Sequence, residues 1–240
     1  MNTTTMNNKK SWIDPMMLGI LGCESMAIFG MLSPTMHGVA GFFDMSLMQG
    51  QTEFENLEFI HFVENSIGWM IEPLLFISIL FTAIGFKTIS KKYSQFSVKR
   101  VVWSLLFFAF TRLIMMVIHI VFASMFQEYS QTGNPASFLM MGPIKGIAAL
   151  LAAIGGIISA YYMSRYFQFF EASDTSGPGK TGGTLIIGSV MIGVFVKTMS
   201  IYIWPFFLTN IFFLSMALKS IGISMIAMHM YKLGENHEIY

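Results

Sequence analysis

Residues 101–126 read VVWSLLFFAFTRLIMMVIHIVFASMF. Apart from Arg112, His119 and a few hydroxyls, the run is apolar on every side of a helical wheel. A helix on a soluble protein keeps a polar face toward water; this one has none. An α-helix rises 1.5 Å per residue, so about 20 such residues cross the hydrocarbon core of a bilayer. The reading of this stretch is a membrane-spanning helix, and the rest of the chain follows from it.

Similar runs lie on both sides. Residues 60–86 (IHFVENSIGWMIEPLLFISILFTAIGF), 142–166, 184–206 and 210–231 are each long and apolar enough to span. A shorter run, 16–34, holds Glu24. Phe207, Leu208 and Thr209 alone separate the last two strong runs, after Pro205, and predict a tight hairpin. The expected fold is therefore an all-α, polytopic membrane helix bundle with about six transmembrane helices. It forms a single integral membrane domain over 1–240. An outer loop is expected at 35–59, with cytoplasmic loops at 87–100 and 167–183. Within the outer loop, 38–48 (GVAGFFDMSLM) is expected as an interfacial helix or a re-entrant piece.

Composition agrees. Of 240 residues, 54% are hydrophobic and 11% charged, against roughly 25% charged in an ordinary soluble domain. These values exclude a soluble globular enzyme, a disordered chain and a nucleic-acid binder with a basic face. The net charge of +1 steers no partner. One cysteine makes neither an intramolecular disulfide framework nor a CxxC metal knuckle.

Cations set the expected orientation, because positively charged loops stay in the cytoplasm. Lys87, Lys91, Lys92, Lys99 and Arg100 follow the second span. With six spans, Lys9, Lys10, Lys180 and Lys232 fall on that same side, so both termini are cytoplasmic. The loops 35–59, 127–141 and 207–209 hold no Lys or Arg, and the first holds Asp44, Glu53, Glu55 and Glu58. Trp12 and Trp103 mark the inner boundary and Trp204 the outer one. The expected location is a cell (inner) membrane with the acidic 35–59 loop outside.

Charges within the spans are the most informative residues. Glu24, Glu72, Arg112, Lys197 and Lys219 all fall near the middle of apolar runs. Each costs about 2.5–3.5 kcal/mol if it faces lipid, so they should face protein or water. They read as ion pairs that fix helix packing, or as an ion or anion path. Two acids against three bases leave one base that needs a partner's carboxylate, an anion or the loss of its proton. The fourth span carries Ala148, Ala152, Gly156 and Ala160 at intervals of four, with Gly155 and Ser159 beside them. Small residues at that spacing let helix backbones approach closely.

Other patterns carry less. Methionine is abundant, at 22 residues. Met36, His37, Met45, Met48 and His61 on the expected outer side are ligand types that suit cuprous copper. No close spacing organises them, and methionine is also an adaptable apolar filler. No cofactor is otherwise expected. Asp174 to Thr181 (DTSGPGKT) imitates a phosphate-binding loop but has Asp174 where glycine is required and no strand before it. Gly177, Pro178, Gly179, Gly182 and Gly183 read as a flexible turn. No nucleotide or nucleic-acid partner is expected. Ile20-Leu21-Gly22-Cys23 imitates a lipoprotein cleavage site, but Asp14-Pro15 interrupts the short apolar run before it, so Cys23 reads as a buried membrane cysteine.

From Gly142 to Ser200 the chain has a Gly-Pro-led apolar helix, a short polar Gly-Lys loop and a second Gly-containing helix. This stretch, about a quarter of the chain, resembles small inner-membrane subunits of type IVB secretion and conjugation systems. The resemblance implies a subunit of a membrane machine and assigns no role to any residue. With no recognisable catalytic set, the expected function is a non-catalytic membrane subunit of a multi-protein assembly of secretion, conjugation or respiratory type. The alternatives are a small transporter or channel with a charged mid-membrane path, and a copper-handling membrane protein. Expected partners are the bilayer and other membrane subunits.

Overall fold

Helix starts are set by local chemistry. Asp14 caps the first helix: the Met16 N–H donates to its carboxylate at 2.9 Å and the Leu18 N–H to its carbonyl at 3.1 Å. Pro15 then occupies the first turn, where its missing N–H leaves no bond unmade. The computed structural model describes residues 14–48, 62–63, 65–92, 96–132, 136–169, 176–199 and 205–235. Its regular structure is all helical: α1 (Pro15–Met48), α2 (Glu72–Lys92), α3 (Phe96–Thr132), α4 (Ala136–Phe169), α5 (Ser176–Met199) and α6 (Pro205–Glu235).

Five runs among the described residues are long and apolar enough to cross a membrane: Pro15–Ser33, Ile67–Lys91, Val98–Met125, Pro143–Tyr166 and Phe213–Gly234. The fold is a helical bundle of membrane type. Each helix packs on its neighbour in sequence, and α6 returns to α1, so the six close into a ring.

The bundle buries polar side chains alongside its apolar core and exposes large apolar ones. Its buried residues include Ser33, Glu72, Thr82, Thr111, His119, Ser159 and His229, whereas Trp103, Leu150, Ile147, Met191 and Ile221 are exposed on its surface. In lipid, apolar side chains gain nothing by turning inward, and polar groups gain partners there.

Helix boundaries differ from the sequence expectation in several places: residues 207–209, expected as a hairpin turn, lie inside α6, and α3 and α4 take up most of the expected loop 127–141. α1 does not end at Pro34. It continues through 38–48 to Met48, because a proline inside a helix removes one backbone bond and the apolar sequence beyond it still favours helix. α2 and α3 take up most of 87–100, with α2 ending at Lys92 and α3 starting at Phe96. The Gly-rich stretch read as a flexible turn is the start of α5. Gly182 lies in that helix against Gly222 of α6, where a Cβ would stand 2.5 Å from the Gly222 carbonyl oxygen. The glycines there serve close backbone approach rather than a turn. Gly19 of α1 and Gly85 of α2 meet in the same way, with a Cβ on Gly19 falling 2.5 Å from the Gly85 Cα.

Ahead of α2, Ile67–Ile71 form one π-turn, closed by the Glu72 N–H donating to the Ile67 carbonyl. Pro73 follows directly and offers no N–H of its own. The wider turn carries the chain past this missing donor and aims Glu72 inward.

Candidate functional site

Three helices bring three polar side chains together inside the bundle. Ser33 comes from α1, Glu72 from the first residue of α2 and Arg112 from the middle of α3. The Ser33 hydroxyl donates to Glu72 Oε1 at 3.0 Å. Arg112 Nη2 donates to the Ser33 oxygen at 3.1 Å. Arg112 Nη1 lies 3.5 Å from the same Glu72 oxygen, an ion-pair distance longer than a good N–H···O hydrogen bond. Ser33 therefore relays the contact, accepting from the guanidinium and donating to the carboxylate. Glu72 and Ser33 are fully buried, and Arg112 is 12% exposed. The Arg112 guanidinium also lies 5.6 Å from the Phe108 ring centroid, so an aromatic face covers part of the charge.

Lys219 of α6 is half-buried within the apolar run Phe213–Gly234.

Glu24 is placed differently. It stands nine residues from either end of the apolar run Pro15–Ser33, on the outside of the bundle and exposed. Its carboxylate accepts one hydrogen bond, from the Ser224 hydroxyl of α6 at 3.0 Å. An open, largely apolar groove of about 430 Å³ surrounds it between α1 and α6. The structure thus joins Glu72 to Arg112 and leaves Glu24 apart from both.

Serines do much of the joining between helices; of these, only Ser159 stands out in the sequence, beside the small-residue stripe. Ser159 of α4 donates to the Ser104 carbonyl of α3 at 2.8 Å, and Ser215 of α6 to the Ser189 carbonyl of α5 at 2.6 Å. Ser220 of α6 donates to the Ala27 carbonyl of α1 at 2.8 Å. Their signal in the sequence was polarity within apolar runs at positions too small to cost insertion, which is a faint one.

In the small-residue stripe of α4, Ala148, Ala152 and Ala160 are buried and Gly156 is half-buried. Ala148 and Ala152 pack on Met115 of α3, and a Cβ on Gly155 would meet the Thr111 hydroxyl at 2.9 Å. Cys23 is fully buried in α1. His61 and the side chains of Met36, His37, Met45, Met48 and Lys197 lie outside the described residues. The acids Glu53, Glu55 and Glu58 and the indoles Trp12 and Trp204 do so as well. Among the described residues, no group of three His, Cys, Asp or Glu side chains converges on a metal-sized site.

The chain matches none of the protein-family models, curated proteins or solved structures with which it was compared. What the site can do rests on its chemistry alone. A carboxylate and a guanidinium bridged by a hydroxyl in a buried position hold three helices in register. A carboxylate on the outer face offers an acceptor to whatever packs there.

Proposed function

We propose that this chain is a non-catalytic integral membrane subunit of a multi-protein assembly, of secretion, conjugation or respiratory type. The observation that carries the reading is Glu24, an exposed carboxylate at the middle of an apolar run, in a groove between two helices. A charge facing lipid at that depth costs about 2.5–3.5 kcal/mol. A contact that supplies an opposite charge offsets this cost. The Ser33–Glu72–Arg112 contact supports the same reading, because it ties helices together and closes its carboxylate off from the surface.

Native mass spectrometry of protein extracted gently after expression from its own locus tests the proposal. The expected result is a heteromeric membrane complex. A homogeneous monomer or homo-oligomer, with no co-purifying protein, overturns it.

One observation favours transport as a second reading. Lys219 is a half-buried cation inside the apolar run Phe213–Gly234, and ionisable residues within membrane spans mark ion pathways. Anion flux into liposomes that falls in Lys219→Met would support it, and unchanged flux would remove Lys219 from any path.

A further inference from the structure

The groove around Glu24 has properties that select its occupant. Its lining includes Glu24, Ala27 and Ile28 of α1 and Ser220, Ile221 and Ser224 of α6, with methionines of both helices. Ala27, Ser220 and Ser224 are small, so a third helix lying between α1 and α6 can bring its backbone close. Ile28 and Ile221 flank the floor and are 58% and 53% exposed, giving an incoming helix two apolar ridges to pack against. Ser224 lies eleven residues after Phe213 and ten before Gly234 in the apolar run of α6, and Glu24 is central in that of α1. The carboxylate therefore sits where only another membrane-embedded element reaches it.

Charge narrows the choice further. The Ser224 hydroxyl is neutral, and among the described residues no Lys or Arg pairs with Glu24. Arg112 is held by Glu72 and Ser33, and Lys219 is half-buried. The exposed cations Lys87, Lys91, Lys99, Arg100, Arg165 and Lys180 stand near the ends of their helices. Among the described residues, the exposed cations of a second copy of this chain thus all stand toward helix ends, away from the middle of an apolar run where Glu24 lies.

We propose that the α1–α6 groove receives a transmembrane helix of a different protein, and that this helix carries a lysine or arginine at the depth of Glu24. The proposal rests on the subunit reading above and names the chemistry of the neighbour. Complementary charges buried in lipid fix the depth and rotation of a helix as well as its affinity.

The test places a photo-crosslinking amino acid at Ile221, and separately at Ile28, in full-length protein expressed from its own locus. Crosslinked peptides are identified by mass spectrometry. The expected product is a segment of another membrane protein with Lys or Arg within one helical turn of the attachment point. Glu24→Lys should lower its yield at least about tenfold, and replacing the partner's base by Glu should restore it. Glu24→Gln, which keeps the shape and the bond to Ser224, should also lower the yield if Glu24→Lys impairs folding. Crosslinks to lipid alone, to a second copy of this chain or to a segment without a base overturn the proposal. So does a yield unchanged in Glu24→Gln. If a heteromeric complex persists in native mass spectrometry while the groove crosslinks fail, the groove assignment falls and the subunit reading stands. If no such complex exists, both fall.

Discussion

Glu72 and Arg112 stand 3.5 Å apart, and the Ser33 hydroxyl is hydrogen-bonded to both. A single side chain from α1 thereby governs a charge pair between α2 and α3. The relationship also explains why two opposite charges tolerate full or near-full burial. Each charge finds the other and shares one hydroxyl, so neither is left to lipid.

Ser33→Ala removes that relay and leaves the charges at a separation too long for a strong direct hydrogen bond. Hydrogen bonds between membrane helices contribute about 0.6–1.7 kcal/mol, and bonds to charged groups somewhat more. Stability in detergent should fall by about 1–2 kcal/mol, read as an earlier midpoint in denaturing-detergent titration. Ser33→Thr, which keeps a hydroxyl, should lose less.

Arg112→Met should be more damaging, because it leaves Glu72 buried without its countercharge. Breaking one side of a buried pair costs about 3–5 kcal/mol, whereas replacing both sides is often close to neutral. The double variant Glu72→Gln with Arg112→Met should therefore be more stable than Arg112→Met alone. A thermodynamic cycle in the same detergent checks this, and strict additivity of the two changes would count against the pair.

Glu24→Gln offers the contrast. Its side chain is exposed and bonded only to Ser224 among the described residues, so the isolated protein should change by less than about 0.5 kcal/mol. The same change at Glu72 should lower stability measurably. Equal losses at the two positions would mean that Glu24 is part of the internal framework.

The same substitution at two glycines should act in opposite directions. Gly182→Ala drives a Cβ to 2.5 Å from the Gly222 carbonyl oxygen and must separate α5 from α6, a cost of about 1–3 kcal/mol. Gly30 has nothing within 4 Å of an added Cβ, so Gly30→Ala should be neutral or stabilise α1 by up to about 1 kcal/mol. Thermal unfolding of the two variants in one detergent makes the comparison.

Much of the fold is legible in the chain because insertion into lipid is decided by local composition. A run such as 101–126 leaves the backbone no solution but helix, since lipid offers no hydrogen bonds. The same logic marks Glu24, Glu72, Arg112 and Lys219 as residues needing a reason. Helix ends are less legible. Pro34 and the glycines near Lys180 look like breaks, yet α1 passes through the first and α5 begins among the second. Whether a glycine makes a turn or a contact depends on the helix opposite, which no local pattern contains.

By itself, then, the sequence determined that the protein is a bundle of apolar helices with a few charges that must be accounted for. Tertiary structure decided how they are accounted for. Glu24 and Glu72 are the same residue type in similarly apolar runs. One faces Arg112 across residues far apart in the chain, and the other opens onto the outer surface. The difference lies in how each helix is rotated against its neighbours, and that rotation is set by close contacts such as Gly19 with Gly85 and Gly182 with Gly222. Ion pairing over such sequence separations depends on packing geometry, so it exists only once the helices have met.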